Sequence, residues 1–394
     1  MRPYAARSGC RRLTDRGRRG GVVVYIAISM TVVFGMAALA VDIGMLYSAQ
    51  AELQRSADAA SMAGTWELLN EDRLRGADYA QAVVNSASER TVQVAALNAV
   101  LKYATIVQPD QDVQFGHWTV NPDGSGYMTY GGDAASYNAV ELLAQRNEGR
   151  GGSIALSFAR LLGVSTKDLR ARAIAAALDG ISGFEVPEPG ETVGLLPFAL
   201  QVDIWNQLLA GTFTTGDNYS YDQDTQTVGN GPDGINELNL YPGAGATQLP
   251  PGNFGTVDIG SPNNSTADIS RQIRFGVNES DLAYFGGRLE LGPDGTLALN
   301  GDTGLSAAVK DDLISIIGQP RTIPLFSTVS GPGNNAMFTI VGFAGVRILD
   351  VRLTGAMSSK RVIIQPAVVV DDGAISGGDS SSSYGVYAPV RLVQ

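Results

Sequence analysis

An uncharged run of 22 residues, from Gly20 to Val41, is the feature that most constrains this chain. At about 1.5 Å of rise per helical residue, the run is about 33 Å long and can cross a hydrocarbon core of about 30 Å. Seven arginines and one aspartate precede Asp42, a net charge of +6, whereas the remaining residues carry −17. One such run predicts a single pass of the inner (cytoplasmic) membrane. Because basic residues favour the cytoplasmic side, we expect the N-terminus in the cytoplasm. The expected arrangement is a basic cytoplasmic leader at 1–19, a membrane span at 20–41, and a periplasmic or extracellular part formed by the remaining residues.

The same run also allows a cleaved signal peptide, because Ala38-Leu39-Ala40 has the small-residue pattern of a cleavage site. However, the run is longer than the apolar core of about 7–15 residues that signal peptides usually have. Helical sequence also continues beyond the cleavage point. A retained anchor in contact with the lipid bilayer is therefore the preferred interpretation.

Composition excludes several functional classes. The chain has 394 residues, a net charge of −11, one Cys and one His. This acidity argues against nucleic-acid binding. A single Cys and a single His exclude an intrachain disulfide, a Cys/His zinc cluster and any Ser-His-Asp triad that does not use His117. His117 is expected to pack beside Trp118. The sequence contains no credible catalytic constellation, so a non-enzymatic protein without a cofactor is expected.

Residues 42–69 contain no proline and continue the helical pattern of the span. An apolar stripe along this segment becomes rich in alanine, which favours close helix packing. Whether it forms a core contact within the chain or an oligomer contact is open. Asp42, at the edge of the span, either pairs with a charge on a partner subunit or is solvated by lipid headgroups. The candidate helix-interaction residues are Ala40, Asp42, Gly44, Ser48, Leu53, Ala57, Ala60 and Gly64.

Periodicity and turn residues predict the remaining elements. In the first half we expect a helix at 77–104, strands at 113–120, 126–130 and 138–144, a short helix at 154–162 and an element of either type at 168–178. A linker at 182–194 follows. In the second half we expect helices at 202–210, 265–275 and 306–317, and an antiparallel hairpin of 336–353 with 361–370, to which 321–327 could add a third strand.

The expected fold class is α+β. A long N-terminal transmembrane helix continues into a pilin-like module of helix plus antiparallel sheet, residues 42–181. A second, loop-rich α+β domain at 195–371 ends in the β-hairpin, and a Gly/Ser-rich tail occupies 372–394.

A Gly-rich loop in the second half contains oxygen ligands of the kind that Ca²⁺ prefers. They are Asp222, Asp224, Asn230, Asp233, Asn236 and Glu237. The spacing does not follow the EF-hand pattern. The alternative interpretation is a solvated loop in which Asn and Asp form turns.

Several segments resemble TadG-type proteins of tight-adherence (Flp) pilus assembly systems. They are the basic-Gly start of the apolar run, its end AVDIG (Ala40 to Gly44), Tyr47, QRSADAASMAG (Gln54 to Gly64) and SFARLLGVSTKDLRARAIAAA (Ser157 to Ala177). The resemblance covers about the first 180 residues. It implies a membrane-anchored, pseudopilin-like accessory protein whose helix binds membrane proteins of a pilus or secretion apparatus.

Two family features are missing. A prepilin-type leader has Glu five residues after the cleaved Gly, but Tyr25 and Ile26 stand at those positions. The D-x-S-x-S of a von Willebrand A-like metal site occurs only in the run from Asp379 to Ser383, interpreted as flexible tail. Other functional hypotheses are an exported Ca²⁺-dependent binding module and a secreted or tethered hydrolase that uses carboxylates of the second half. A homo-oligomer is an open alternative.

Overall fold

The structure is a computed structural model that describes residues 21–121, 123–241, 254–261, 264–302, 305–331, 335–377 and 383–393. The basic leader at 1–19, residues 242–253 and the greater part of the Asp379 to Ser383 run lie outside the described residues.

A single long helix, α1 (Gly21–Glu67), begins the described chain and confirms that the apolar run continues without a break into the helix that follows it. Its 47 residues correspond to about 70 Å. The helix has no proline to interrupt it. A short 3-10 turn, Glu71–Arg75, leads from it into α2 (Ala77–Leu97), which packs back against α1.

The first sheet lies against these helices and has the strand order β2-β1-β3-β6-β24, with antiparallel pairing. Its members are β1 (Val113–Val120), β2 (Gly126–Tyr130), β3 (Ala139–Arg146), β6 (Leu169–Ala176) and β24 (Arg391–Leu392). The segment forms the strand β6, which resolves the open choice at 168–178. Leu169, Ala171 and Ala173 alternate with exposed arginines in its first part, and its last four residues are buried on both faces. Alanines and branched residues of α1, α2, β3 and β6 form the core of this module.

Two predicted helices of this module differ in the structure. The helix α2 ends at Leu97, short of residue 104, because Asn98 bonds back to Val94 O and Leu101 and Lys102 adopt positive φ angles. The segment predicted as a helix at 154–162 is instead β4 (Ile154–Ala155), paired with β5 (Thr166–Lys167), followed by a 3-10 turn, Ala159–Leu162. The short α3 (Pro109–Asp112) precedes β1.

The second half is rich in sheet, as predicted. Its main sheet has the order β12-β19-β18-β16-β13-β9-β17, with a further β17–β18 pairing. These strands are β9 (Phe198–Gln201), β12 (Leu238–Asn239), β13 (Phe254–Val257), β16 (Leu297–Asp302), β17 (Pro320–Ser330), β18 (Ala336–Arg352) and β19 (Arg361–Pro366). The predicted antiparallel pair is β18 with β19, and the predicted third strand is β17, which pairs with β18.

Short helices and ladders complete this half. The helices are α4 (Val202–Leu209), α5 (Thr266–Phe275), α6 (Glu279–Ala283) and α7 (Lys310–Ile314). The small strands are β7 (Ile181–Glu185), β8 (Thr192–Val193), β10 (Tyr219–Asp222), β11 (Thr227–Asn230), β14 (Val277–Asn278), β15 (Arg288–Glu290), β20 (Val369–Val370), β21 (Ala374–Ser376), β22 (Ser383–Tyr384) and β23 (Val386–Tyr387). Ser265 begins α5 with a capping box. The predicted third helix splits into the 3-10 turn Ala307–Val309 and α7.

The predicted linker and tail both contain strands. Within 182–194, β7 pairs with β15 and β21, and β8 pairs with β14. Within 372–394, β21, β22, β23 and β24 pair with four different partners, and β24 joins the first sheet. The composition of these two segments predicts flexible connections. In the structure, backbone N–H and C=O groups of both segments instead form hydrogen bonds in β-ladders. The hairpin of β18 and β19 is therefore followed by further sheet structure.

Candidate functional site

The first half of α1 is exposed along its whole circumference. Large apolar side chains from Val22 to Val41 face no part of the chain; Tyr25, for example, is 75 % exposed and Phe34 64 %. Among the described residues, α1 is the one helix that is long and apolar enough to cross a membrane. A bilayer or other helices would be needed to cover this surface, because such a continuous apolar area is unfavourable in water.

Three small residues at the end of this exposed part, Ala40, Gly44 and Ser48, form a row with a spacing of four positions. All three are exposed, and a Cβ atom added to Gly44 would meet nothing within 4 Å. The chain itself therefore leaves this row open to a neighbour.

The other apolar candidates of α1 are used inside the chain. Leu53, Ala57 and Ala60 are fully buried in the core with α2, β3 and β6. At Gly64 the hydroxyl oxygen of Thr91 lies 2.0 Å from where a Cβ atom would be, so only glycine allows α2 this close. The two alternatives for this stripe were a core contact within the chain and an oligomer contact. For these four residues the structure shows the core contact.

Side-chain hydrogen bonds also bind α1 to the sheet. Gln50 Nε2 donates to Arg170 O at 2.8 Å, Gln54 Nε2 to Arg172 O at 3.0 Å, and Thr65 Oγ1 to Ala175 O at 3.1 Å. Residue numbers rise together on both elements. The strand β6 therefore runs alongside α1 in the same direction, away from the exposed apolar half.

Asp42 has a role that neither expectation anticipated. It is 2 % exposed, and its carboxylate accepts hydrogen bonds from the backbone N–H groups of Ser157 (3.0 Å), Phe158 (2.8 Å) and Ala159 (2.6 Å). The 3-10 turn that begins there has no side-chain cap of its own. An anion at the start of a helical turn satisfies its free N–H groups. Asp42 supplies this cap from α1 and so holds the loop at 157–159 against the helix.

The two halves of the chain meet at a buried ion pair that sequence reasoning missed. The guanidinium of Arg347 in β18 donates to both carboxylate oxygens of Glu71, at 2.6 and 2.8 Å. Arg347 Nε donates to Gly318 O, and the ring of Tyr221 lies 3.5 Å from the guanidinium carbon. Glu71 also accepts from Val368 N at 3.1 Å. A lone arginine inside the apolar run of β18 was the available sequence signal.

The single histidine has an acidic partner. His117 Nε2 lies 2.8 Å from Asp179 Oδ2, and Nδ1 lies 3.3 Å from Thr119 Oγ1. The hydrogen bond to Asp179 raises the pKa of His117, while burial and the charge of Arg73 oppose that rise. When His117 is protonated, it forms a charge pair with Asp179.

Three of the six candidate calcium ligands accept hydrogen bonds from backbone N–H groups in or next to the loop at 222–237. Asp222 accepts from the N–H groups of Asp224 and Thr225. Asp233 caps the turn at Ile235, and Glu237, which is buried, accepts from Asn218 N and Tyr219 N. Burial raises the pKa of Glu237.

In the described ranges, which include this whole loop, no three His, Cys, Asp or Glu side chains are grouped to hold a metal ion. Asp224 and Asn230 are exposed and Asn236 is half-buried. Calcium binding by this loop stays a prediction.

Carboxylates of both halves also line a groove of about 160 Å³. There Glu71 binds Arg347, Asp72 binds Arg75 at 3.0 Å, and Asp233 accepts from Tyr221 N. Each acid of the groove thus has a structural partner. A second cavity in the second half is lined entirely by apolar side chains and offers no acid.

Two known protein families match the N-terminal part of the chain. Residues 20–82 match the family described as putative Flp pilus-assembly TadE/G-like, and residues 63–175 match the family described as putative Tad-like Flp pilus-assembly. The two matches overlap and end at β6, so they cover α1, α2 and the first sheet up to that strand. They confirm the resemblance to TadG-like proteins. No curated protein and no solved structure matches the chain.

Proposed function

We propose that this protein is a membrane-anchored, non-enzymatic component of a Flp or tight-adherence type pilus assembly or secretion apparatus. The observation that carries the proposal is the division of α1 into two halves within a pilus-assembly family match. One half is apolar and uncovered, while the other is built into the core of the module. Such a helix transmits a fixed orientation from a bilayer to a folded domain.

The basic leader before the span supports a cytoplasmic N-terminus and an outward-facing module. In this arrangement the row Ala40, Gly44 and Ser48 stands where the helix leaves the bilayer. Small side chains allow the backbone of another membrane helix to come close. We therefore assign the row to lateral contact with membrane proteins of the apparatus or with a second copy of the chain.

Carbonate extraction and protease digestion of spheroplasts test the anchor and its orientation. The full-length protein is expected to stay in the membrane pellet, and residues beyond Tyr47 are expected to be digested from outside. Release of a species that begins near Val41 would contradict the proposal and would favour a cleaved, exported protein.

Cysteine cross-linking in native membranes tests the lateral contact. In a Cys10→Ser background, Ser48→Cys is expected to give a cross-linked product with a membrane protein. Tyr47→Cys is the matched control, since Tyr47 is 74 % exposed and points about 100° around the helix from Ser48. Equal cross-linking at the two positions would argue against a specific helix contact.

A further inference from the structure

The loop held by Asp42 exposes an unusual set of apolar side chains. Leu161 is 86 % exposed, Leu162 74 %, Val164 49 % and Phe158 42 %. They lie within seven consecutive residues, from just before the 3-10 turn to just after it. Gly163 ends the turn with a left-handed conformation at φ 89°. These four side chains are not part of the core of the module. Their exposure is therefore best explained by contact with something other than this chain.

The position of this loop along α1 is fixed. Its N–H groups bind Asp42, the residue that directly follows the uncharged run. The contacts of Gln50, Gln54 and Thr65 with β6 are at increasing height above it. Since β6 runs away from the exposed half of α1, the residues before β6 lie on the side of the module that faces this half. The apolar loop is therefore level with the end of the span.

Charge also matches a lipid surface. Arg160 lies between the exposed apolar residues, and Lys167 follows them; both are exposed. An acid, Asp168, also follows the loop in the sequence. It accepts a hydrogen bond from Ser153 Oγ. Apolar side chains flanked by basic ones are typical of segments that lie in the interface of a bilayer with anionic lipids.

We infer that residues 158–164 insert into the interface of the bilayer beside α1, on the leaflet that faces the globular part. Leu161 and Leu162 enter the acyl boundary, and Arg160 and Lys167 contact lipid phosphates. The occupant is lipid, because the loop is continuous with the span that lipid already covers. The inference rests on the membrane anchor proposed above and deepens it. With a second attachment point, the module and the helix α1 that is packed into it cannot rotate or tilt freely relative to the bilayer.

Depth-dependent fluorescence quenching tests this inference. The full-length protein, with Cys10→Ser, carries an environment-sensitive fluorophore on a single introduced cysteine. It is reconstituted into vesicles of equal parts phosphatidylcholine and phosphatidylglycerol that contain a spin-labelled lipid quencher. Three variants are compared: Leu161→Cys in the loop, Val33→Cys in the span and Leu97→Cys as matched control.

Leu97 is a suitable control because it is 75 % exposed and apolar, like Leu161. It lies two residues after Ala95, whose carbonyl binds Ser56, about 20 Å further along α1 than Asp42. Unchanged circular-dichroism melting shows that each variant is folded, which is expected because all three substitutions are on exposed positions.

The inference predicts quenching at residues 161 and 33, several-fold stronger than at residue 97. Quenching at 33 with none at 161 would overturn the inference and leave the anchor intact. In that case a label at 161 that is shielded only in native membranes would assign the surface to a protein partner. Quenching at neither 33 nor 161 would overturn the anchor and, with it, the inference.

Discussion

The carboxylate of Glu71 and the guanidinium of Arg347 form a two-bond ion pair between residues 276 positions apart. Glu71 comes from the turn that follows α1, and Arg347 from the longest strand of the second half. Both side chains are almost completely buried. The pair joins the part of the chain with the pilus-assembly match to the part beyond it, and it makes the two halves dependent on each other.

Glu71→Gln is expected to destabilise the protein by about 3–5 kcal/mol, because it leaves the buried guanidinium without a counter-charge. Glu185→Gln is the control: Glu185 forms an exposed pair with Arg288 at 2.7 Å, and exposed pairs contribute about 1 kcal/mol or less. Urea denaturation measures both values. Equal losses in the two variants would show that the Glu71 pair is no stronger than a surface contact.

Gly64→Ala is expected to cost about 1–3 kcal/mol, because the new methyl group would collide with Thr91 and force α1 and α2 apart. Gly44→Ala makes the same chemical change in the same helix where nothing lies within 4 Å. Its stability should be unchanged or higher by up to about 1 kcal/mol. Thermal unfolding in detergent compares the two variants. A Gly64→Ala protein as stable as wild type would disprove the close approach.

Asp42→Ala is expected to free the loop at 157–159, because three backbone N–H groups lose a charged acceptor. Hydrogen bonds to a charged acceptor are stronger than those between neutral groups. Hydrogen exchange at Ser157, Phe158 and Ala159 should accelerate, and trypsin should cut faster after Arg160. Asp110→Ala, at an exposed acid near β1, should change neither reading. Unaltered exchange in Asp42→Ala would mean that the loop holds its shape alone.

His117 gives the protein a pH-dependent contribution to stability. Because its pKa is raised in the folded state by Asp179, the folded state binds the proton more tightly than the unfolded state. The contribution is complete below the unfolded pKa of about 6.5 and is lost as the pH rises through the higher folded value. Wild type should therefore lose unfolding free energy relative to His117→Gln over this interval.

The measurement is direct because the chain has one histidine. NMR titration of the imidazole gives the folded pKa, and urea denaturation at several pH values gives the difference between wild type and His117→Gln. A folded pKa at or below 6.5, or a difference that is constant with pH, would contradict the assignment.

Local patterns were sufficient to predict much of the fold. The apolar helix and its continuation follow from an uncharged run and a periodic segment without proline, and β18 with β19 follow from β-branched alternation. At 154–162 the local pattern was misleading. Apolar residues that look like a helix there are fixed by a two-residue ladder and by Asp42, which are contacts that no local window contains.

The site could be predicted only in part for the same reason. The row at Ala40, Gly44 and Ser48 is visible as spacing along one helix. Glu71 and Arg347 are ordinary charged residues in the sequence, and only tertiary structure brings them together. Similarly, Leu161 and Leu162 become notable only once the fold leaves them uncovered.

The pairing of β24 with β6 gives synthesis of this chain a particular order. Arg391 pairs with Ala176, a residue 215 positions earlier. Until β24 is synthesised, the end of β6 at Ala175 and Ala176 lacks its strand partner on this edge, and open edges invite pairing with foreign strands. The first sheet thus begins early in synthesis but gains β24 only after the second half of the chain has been made. The interval between these two events is the period in which a nascent chain is most exposed to aggregation.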